Sequence, residues 1–508
     1  MKNIGIIDLG SNSVRLMIVG VADDGSYKLL DEAKESVRLS EHMGAEATLK
    51  PAAIERTIAA LRLFQHLCRA YGVTETIAVA TAAVRQATNQ GQFLQQVYEA
   101  TGLRVRVFSG MEEAQAVHIG VANTLDAPNG LIVDIGGGST EIILMQDRQL
   151  IQAISLPYGA VNLTETVLEG HKLSDEQIRK LEDFLRSQFA AIPWLTGITA
   201  PVLIGIGGTI RNLSKIDRKR KKYSLSIMHN YRMKCKDASE IYRQLRGQNL
   251  EQRKKTPGLS RDRADIIVAG SAIVHILSEM TQAKEMIVSG SGLRDGLWYQ
   301  HLLRHQAVPL VDNVLQHSVN NILRYYHMET GHSCHVAHLT LSMFDQLQPL
   351  HGLGSNERKV LEVASLLHDV GIQVNYYEHY KHSFYLIANS RINGLTHREI
   401  IMAAFVAAAH TKPLVPSPTA YRDILSEEDW KTLRKLSIIL RIAESLDRSE
   451  AAVIQDLRCH QHVGAVHLIA ITSVPAELEV FDACKVASDF KKVFDHNLII
   501  SAQPPGIS

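Results

Sequence analysis

Over the first 300 or so positions, apolar residues come in short runs that end on Gly or Ser: IGIIDLG (4–10), TIAVATAAV (76–84), RVRVFSG (104–110), LIVDIGG (131–137), VLIGIGG (202–208) and MIVSGSG (286–292). Each run has strand length and β-rich composition, and stretches with helical apolar spacing, such as 51–71 and 173–192, lie between them. Alternation of this kind predicts α/β units. From 304 to 455 the pattern changes to helix after helix, rich in His, Leu and Ala. Beyond 456, AVHLIAIT (465–472) and NLIISAQ (497–503) read as strands around one helix near 483–494. The predicted order is an α/β domain over 1–124, a second over 125–303, an all-helical domain over 304–455 and a small α+β domain over 456–508.

The first two domains share a pattern. Residues 4–18, IGIIDLGSNSVRLMI, align without a gap on 130–144, GLIVDIGGGSTEIIL. Asp8 falls on Asp134, Gly10 on Gly136 and Ser13 on Ser139, and apolar residues follow in both. This internal repeat predicts two related domains, each opening with strand, turn and strand. The second turn is stripped to Gly136, Gly137 and Gly138, then Ser139 and Thr140. Glycines let a ligand approach the main chain, and successive N–H groups in such a turn form a nest for phosphate. The two hydroxyls add donors. Asp134 repels a bare phosphate, so it is expected to act through a cation or a bound water. Two such turns facing across a cleft grip a phosphate from both sides.

Composition narrows the setting. The chain has 508 residues, 45% hydrophobic and 21% charged, with a net charge of +1. No global field attracts polyanions, so an anion site has to be built locally, and neither nucleic acid nor a membrane is expected as partner. The five cysteines are scattered with no C-x-x-C, which points to a reducing compartment. The start of the chain turns polar too early for a signal peptide, and no apolar run reaches the ~18 residues of a membrane span. A cytoplasmic protein is expected. One dense basic run, DRKRKKY (217–223), reads first as a solvated loop and otherwise as the lining of a channel for a long polyanion.

IDLGSNSVRLMI, VDIGGGSTEI, IGIGGTIRNL and SGSGLRDGL resemble the phosphate and nucleotide turns of the actin, sugar-kinase and heat-shock-ATPase superfamily. More narrowly, DLGSNS, SGMEEA, DIGGGSTE and PGLSRDRADIIVAG, in this order, are similar to the exopolyphosphatase and guanosine pentaphosphate phosphatase (Ppx/GppA) family. The resemblance implies two actin-like (ribonuclease H-like) domains. Glu112 and Glu113, after a strand, read on composition as ordinary acids of a helix N-terminus. The resemblance matches Glu113 to the family's general base, and Asp134 and Glu141 to the acids around a Mg²⁺ ion, with Glu141 also catalytic. It further implies phosphate contacts from Asn12, Ser13, Arg85, Gly136, Gly137, Gly138, Ser139, Thr140, Gly207, Gly208, Thr209 and Arg263.

The helical region holds a second constellation. HSCHVAHL supplies His332, His335 and His338, LLHDVGI places His368 beside Asp369, and His382, His410 and Asp447 follow. The order His, His-Asp, Asp resembles the HD phosphohydrolase superfamily, and maps to His332, His368, Asp369 and Asp447. His382 and His410 are candidates for a second metal position. Imidazoles mixed with carboxylates suit Mn, Fe, Zn or Mg. Whether this domain is a scaffold, a nucleotide site or a second active site is open at this stage.

Together these readings predict a Mg²⁺-dependent exopolyphosphatase that releases orthophosphate from the end of inorganic polyphosphate, with water activated by Glu113. Hydrolysis of the 5′-terminal phosphate of guanosine pentaphosphate is the alternative, with guanosine tetraphosphate as a further possible partner. An HD-site nucleotide phosphohydrolase and a nucleotide-binding sensor are further readings. A pure sensor needs no water-activating acid, and a kinase needs a second substrate. The family resemblance also implies a homodimer.

Overall fold

The computed structural model describes residues 1–44, 46–168, 173–200, 202–328, 330–412 and 421–504. Two compact units divide the chain: Met1–Tyr223 with Ile227–Val314, and Ser224–Ser226 with Leu315 onward.

The repeat is visible as two sheets of the first unit. One contains β1 (Lys2–Leu9), β2 (Val14–Val21), β3 (Tyr27–Glu35), β4 (Val73–Ala80) and β5 (Arg106–Val107), in the order β3-β2-β1-β4-β5. The other contains β6 (Gly130–Ile135), β7 (Thr140–Gln146), β8 (Gln149–Leu156), β9 (Val202–Ile206), β10 (Tyr231–Lys234) and β11 (Glu285–Val288), in the order β10-β11-β9-β6-β7-β8. In both, an antiparallel meander of three strands is followed by a parallel neighbour, β4 beside β1 and β9 beside β6. The equivalence extends to register: Asp8 stands opposite Arg15, and Asp134 opposite Glu141.

β1 buries Ile4, Ile6, Ile7 and Leu9 on both of its faces, so its apolar run is continuous rather than alternating. The helices Gly110–Ala122 and Leu293–Leu302 lie between the sheets. Their Val117, Val121, Leu297 and Trp298 share one core with Ile4 and Ile6 of the first sheet and Ile132 and Ile143 of the second. The two turns that begin the repeats are thereby held over a common base.

The second unit is built on the helices Thr330–Gln346, Ser355–Leu367, His379–Asn389, His397–Ala408 and Glu427–Ser445. Its end adds a third sheet, β12 (Ile454–His462), β13 (Ala465–Thr472) and β14 (Asn497–Gln503), in the order β12-β13-β14. The sequence predicted two strands and one helix here. The structure has three strands and two helices, Glu477–Cys484 and Ala487–Phe494. β12 reads poorly as a strand because only Ile454 and Leu457 of its nine residues are buried. No described helix is long and apolar enough to cross a membrane.

Candidate functional site

The turns of the two repeats close on each other. Gly10 N donates to Ser13 O at 3.2 Å and Gly136 N to Ser139 O at 3.0 Å, the same local geometry twice. At Gly137 a Cβ would stand 3.2 Å from Ser11 Cβ and 3.3 Å from Asn12 N, so the bare glycine lets the second turn face the first. The cavity between them is lined by Asn12, Ser13, Gly136, Gly137 and Ser139, with Gly207, Gly208 and Arg263 from the other side. Glu113, Asp134 and Glu141 also face it.

Four residues implied as phosphate contacts stand back from this lining. Thr140 donates its hydroxyl to Tyr158 O at 2.9 Å. Thr209 packs its side chain against Gly270. Gly138 abuts Ser11. Arg85 is engaged by Glu113 Oε2 at 2.8 Å and by Phe108 O at 2.9 Å.

The paired acids of SGMEEA have different surroundings. Ser109 caps the helix Gly110–Ala122, accepting from Glu112 N at 3.2 Å, while Glu112 Oε2 accepts from Ser109 N at 2.8 Å. Glu112 is therefore a capping residue. Glu113, one position on, turns inward and is 8% exposed. Burial raises its pKa to about 7; Arg85 opposes that shift, and the carboxylates of Asp134 and Asp8 add to it. Asp134 is raised to about 6, again by burial first, with Arg211 pulling it down and Asp8 pushing it up. Glu141 is raised by burial and by the neighbouring Glu113 and Asp134. Ser155 Oγ donates to Glu141 Oε1 at 2.7 Å. Five carboxyl groups, Asp8 and Asp295 among them, thus line one cavity. A cation offsets such crowding.

Opposite these acids stand arginines that sequence reasoning missed: Arg15, Arg211 and Arg294. Arg294 pairs with Glu32 at 2.9 Å. Among the described residues, no carboxylate lies within ion-pair distance of Arg15, Arg211 or Arg263. Burial and mutual repulsion lower the pKa of all three, that of Arg15 to about 10. Half-buried guanidinium groups that face a cavity without an ion-pair partner call for an anion. A second hollow shares Arg15, Gly208, Arg211, Arg263 and Arg294 with the first and continues to Lys34 and Lys215. Arg15 was legible in the repeat, since it holds the position that Glu141 holds in the second copy. Gly208, Arg211 and Lys215 follow helical spacing along one face of the helix Gly207–Lys221, which starts at the cavity.

The basic run 217–223 lies at the other end of that helix. Lys221 is paired with Asp217 at 2.8 Å and Asp237 at 2.6 Å, Arg220 with Gln244, and Arg218 lies over the rings of Tyr223 and Tyr231. Much of its charge is engaged locally.

In the second unit, His332, His368 and Asp369 come together, as do Asp369, His379 and His410. His379 was not singled out in the sequence; it stands one helical turn before His382 and meets His410 Nε2 at 2.8 Å. Among the described residues no carboxylate comes within ion-pair distance of His382. Glu444, also missed, reaches His368 at 3.0 Å and His332 at 3.4 Å. Asp447 is set on the far ring nitrogen of His332, Nδ1, at 2.8 Å. His335 approaches Asp447 only at 3.9 Å, and His338 lies near Asp456 at 4.0 Å.

Known proteins resemble this chain over most of its length. The model of the Ppx/GppA phosphatase family matches residues 18–305, and that of Ppx/GppA phosphatase, domain III matches residues 314–475. Similar solved structures include the Aquifex aeolicus member of the Ppx/GppA family, 29% identical, TM-score 0.52, covering 60% of this chain and 99% of that one. Another is an exopolyphosphatase from Cytophaga hutchinsonii, 24% identical, TM-score 0.55, covering 59% and 98%; at that identity it speaks to the fold. The expected architecture holds: two actin-like α/β lobes, then a helical region and a small β-containing end. With one family model spanning more than half of its length, and the domain III model matching much of the remainder, the chain belongs to the Ppx/GppA phosphatase family.

Proposed function

We propose that this phosphatase is an exopolyphosphatase, hydrolysing the terminal phosphoanhydride bond of inorganic polyphosphate and releasing orthophosphate. The observation that carries the substrate is the hollow beside the acid-lined cavity. It offers six cationic side chains, Arg15, Lys34, Arg211, Lys215, Arg263 and Arg294, against one acid, Glu32. No aromatic side chain is among its lining residues. A run of phosphates matches such a wall, whereas a guanine base finds nothing to stack on.

In this reading the terminal phosphate sits between the turns at Asn12, Ser13 and Gly136–Ser139, and the rest of the chain lies along the cationic hollow. Arg15, Arg211 and Arg263 hold its oxygens. Arg85 fixes Oε2 of Glu113, leaving Oε1 to take a proton from water. The water oxygen bonds to the terminal phosphorus, the bridging P–O bond breaks, and the shortened chain leaves with the bridging oxygen. Asp134 and Glu141, with Asp8 near, are the carboxylates suited to a Mg²⁺ ion, because Mg²⁺ takes few protein ligands and fills its shell with water and phosphate oxygen. When bound it supplies positive charge against the phosphate oxygens. Glu113 with a pKa near neutrality is poised to accept a proton at physiological pH.

The test is phosphate release by purified protein on long polyphosphate, short polyphosphate and guanosine pentaphosphate in parallel. The expected order of kcat/KM places long polyphosphate first. A higher kcat/KM for guanosine pentaphosphate overturns the substrate and favours the nucleotide.

A further inference from the structure

We propose that Lys34 and Arg38, on the first lobe, are positioning residues for Arg263 on the second. They hold the segment that carries Arg263 from across the cleft. This rests on the reading above, in which the cleft binds phosphate and Arg263 holds its oxygens.

Arg263 needs outside support. It ends the single turn Arg261–Arg263, which belongs to no sheet and no long helix. Its guanidinium lies on the bare backbone of Gly208, where any Cβ would overlap it. Within the second lobe, two contacts fix the main chain around it. Arg253 donates to Ala264 O at 3.0 Å, and Asn212 Oδ1 accepts from Ser260 N at 2.8 Å. Neither reaches the side chains of Asp262 and Asp265, which flank Arg263 on either side.

The first lobe takes both. Lys34 Nζ meets Asp262 Oδ2 at 3.1 Å, and Arg38 Nη2 meets Asp265 Oδ2 at 3.2 Å. A third pair crosses in the same way, Glu32 to Arg294 at 2.9 Å. Glu32 and Lys34 are two apart on β3 and so share one of its faces. Lys34 stands opposite Arg15 in the strand register, next to a guanidinium that lines the cavity.

Arg38 is the more telling of the two. Its N donates to Asn12 O at 3.0 Å, and Ser40 N donates to Ser11 O at 3.0 Å, so this stretch hangs on the first phosphate turn. Arg38 has a φ of 46°, a left-handed backbone that a non-glycine residue keeps only where its surroundings fix it. Its Nη1 faces Glu41 at 3.7 Å, which limits the swing of the guanidinium. One residue is therefore tied through its main chain to Asn12 and through its side chain to the segment of Arg263. It sets the spacing between phosphate-holding parts of opposite lobes. Arg38 lines neither hollow, so it does this without touching the phosphate itself.

The competing account is that these half-exposed ion pairs are screened by solvent and do nothing for the site. Calorimetric titration of full-length protein with inorganic phosphate, in Mg²⁺ buffer, separates the two. Arg38→Ala should weaken phosphate binding about tenfold, the size of one lost charge-assisted hydrogen bond. In the Arg263→Ala background the same change should have no further effect, because Arg38 acts through Arg263. Exchanging the charges, Arg38→Asp with Asp265→Arg, should restore affinity lost in either single variant; aspartate tolerates the left-handed backbone. Asp265→Asn, which removes the same ion pair from the other side, replaces Arg38→Ala if that variant fails to fold. Losses that add in the Arg38→Ala/Arg263→Ala protein, or wild-type affinity in Arg38→Ala and Asp265→Asn, overturn the positioning role alone. Absence of phosphate binding by the wild type overturns the reading of the cleft, and this proposal with it.

Discussion

Arg85 Nη1 lies 2.8 Å from Glu113 Oε2, and the same nitrogen donates to the Phe108 carbonyl at 2.9 Å. A guanidinium that sequence similarity associates with phosphate is here the clamp on the proposed base. Arg85→Ala should therefore act through Glu113. We expect kcat to fall with little change in KM, and Arg85→Lys to recover part of it, because an ammonium keeps the charge but loses the fork. A rise in KM alone would return Arg85 to phosphate binding.

Glu113→Gln keeps the shape of the side chain and removes the base. The expected loss in kcat is about 10²–10⁴-fold with intact folding. In the wild type, Glu113 is raised to about 7 by burial, and a base works only when deprotonated. Activity should thus rise with pH and level off near 7, or lower once a cation binds beside Asp134. The variant should lack this limb. A Glu113→Gln enzyme with near-wild-type turnover would remove the assignment.

Gly137→Val tests whether the bare turn is for the ligand. A Cβ there meets Ser11 and Val161 at 3.2 Å, so the turns must part slightly. A stability cost of about 1–3 kcal/mol is expected from this overpacking, together with loss of phosphate release. Calorimetry beside the activity assay distinguishes the outcomes: a folded but active variant counts against a phosphate nest at this turn.

Lys215 is the cleanest probe of the cationic hollow, since among the described residues no acid pairs with it, whereas Lys34 is held by Asp262 at 3.1 Å. Lys215→Ala should raise KM for long polyphosphate several-fold with kcat retained, and flatten the salt dependence of KM. Neutralising Arg218, Arg220 and Lys221 should matter less, because local partners already engage them. The reverse ranking would place the polymer along the basic run.

The turns were legible because they depend on local chemistry: the acid, Gly and Ser positions of the repeat are visible at fixed spacing, and the same hydrogen bond closes both. Thr140 and Thr209 show the limit of that reading, since motif membership does not say which way a hydroxyl points. Arg15 could have been found from the repeat, since it holds the position of Glu141 in the second copy, but a cation in the place of an acid broke the matching of like residues. His379 and Glu444 were missed for another reason. Their partners lie on other helices, and only tertiary packing tells His379 from His382, one turn away.

The two candidate metal sites share no residue, and this separates their consequences. Asp369→Asn should lose the transition metal, since it removes charge from both trios, while Glu113→Gln should retain it. Metal that binds only the folded state adds stability by mass action, about 2.7 kcal/mol at a hundredfold excess over Kd. Chelation should then lower the melting temperature of wild-type protein and leave Asp369→Asn unmoved. The sign is fixed by the buried lone pairs of His332 and His368, which in the stripped protein must either protonate or stay unsatisfied. Elemental analysis and thermal melts of the three proteins, with and without chelator, give the answer. Equal metal content in wild type and Asp369→Asn would show that Asp369 is not a ligand.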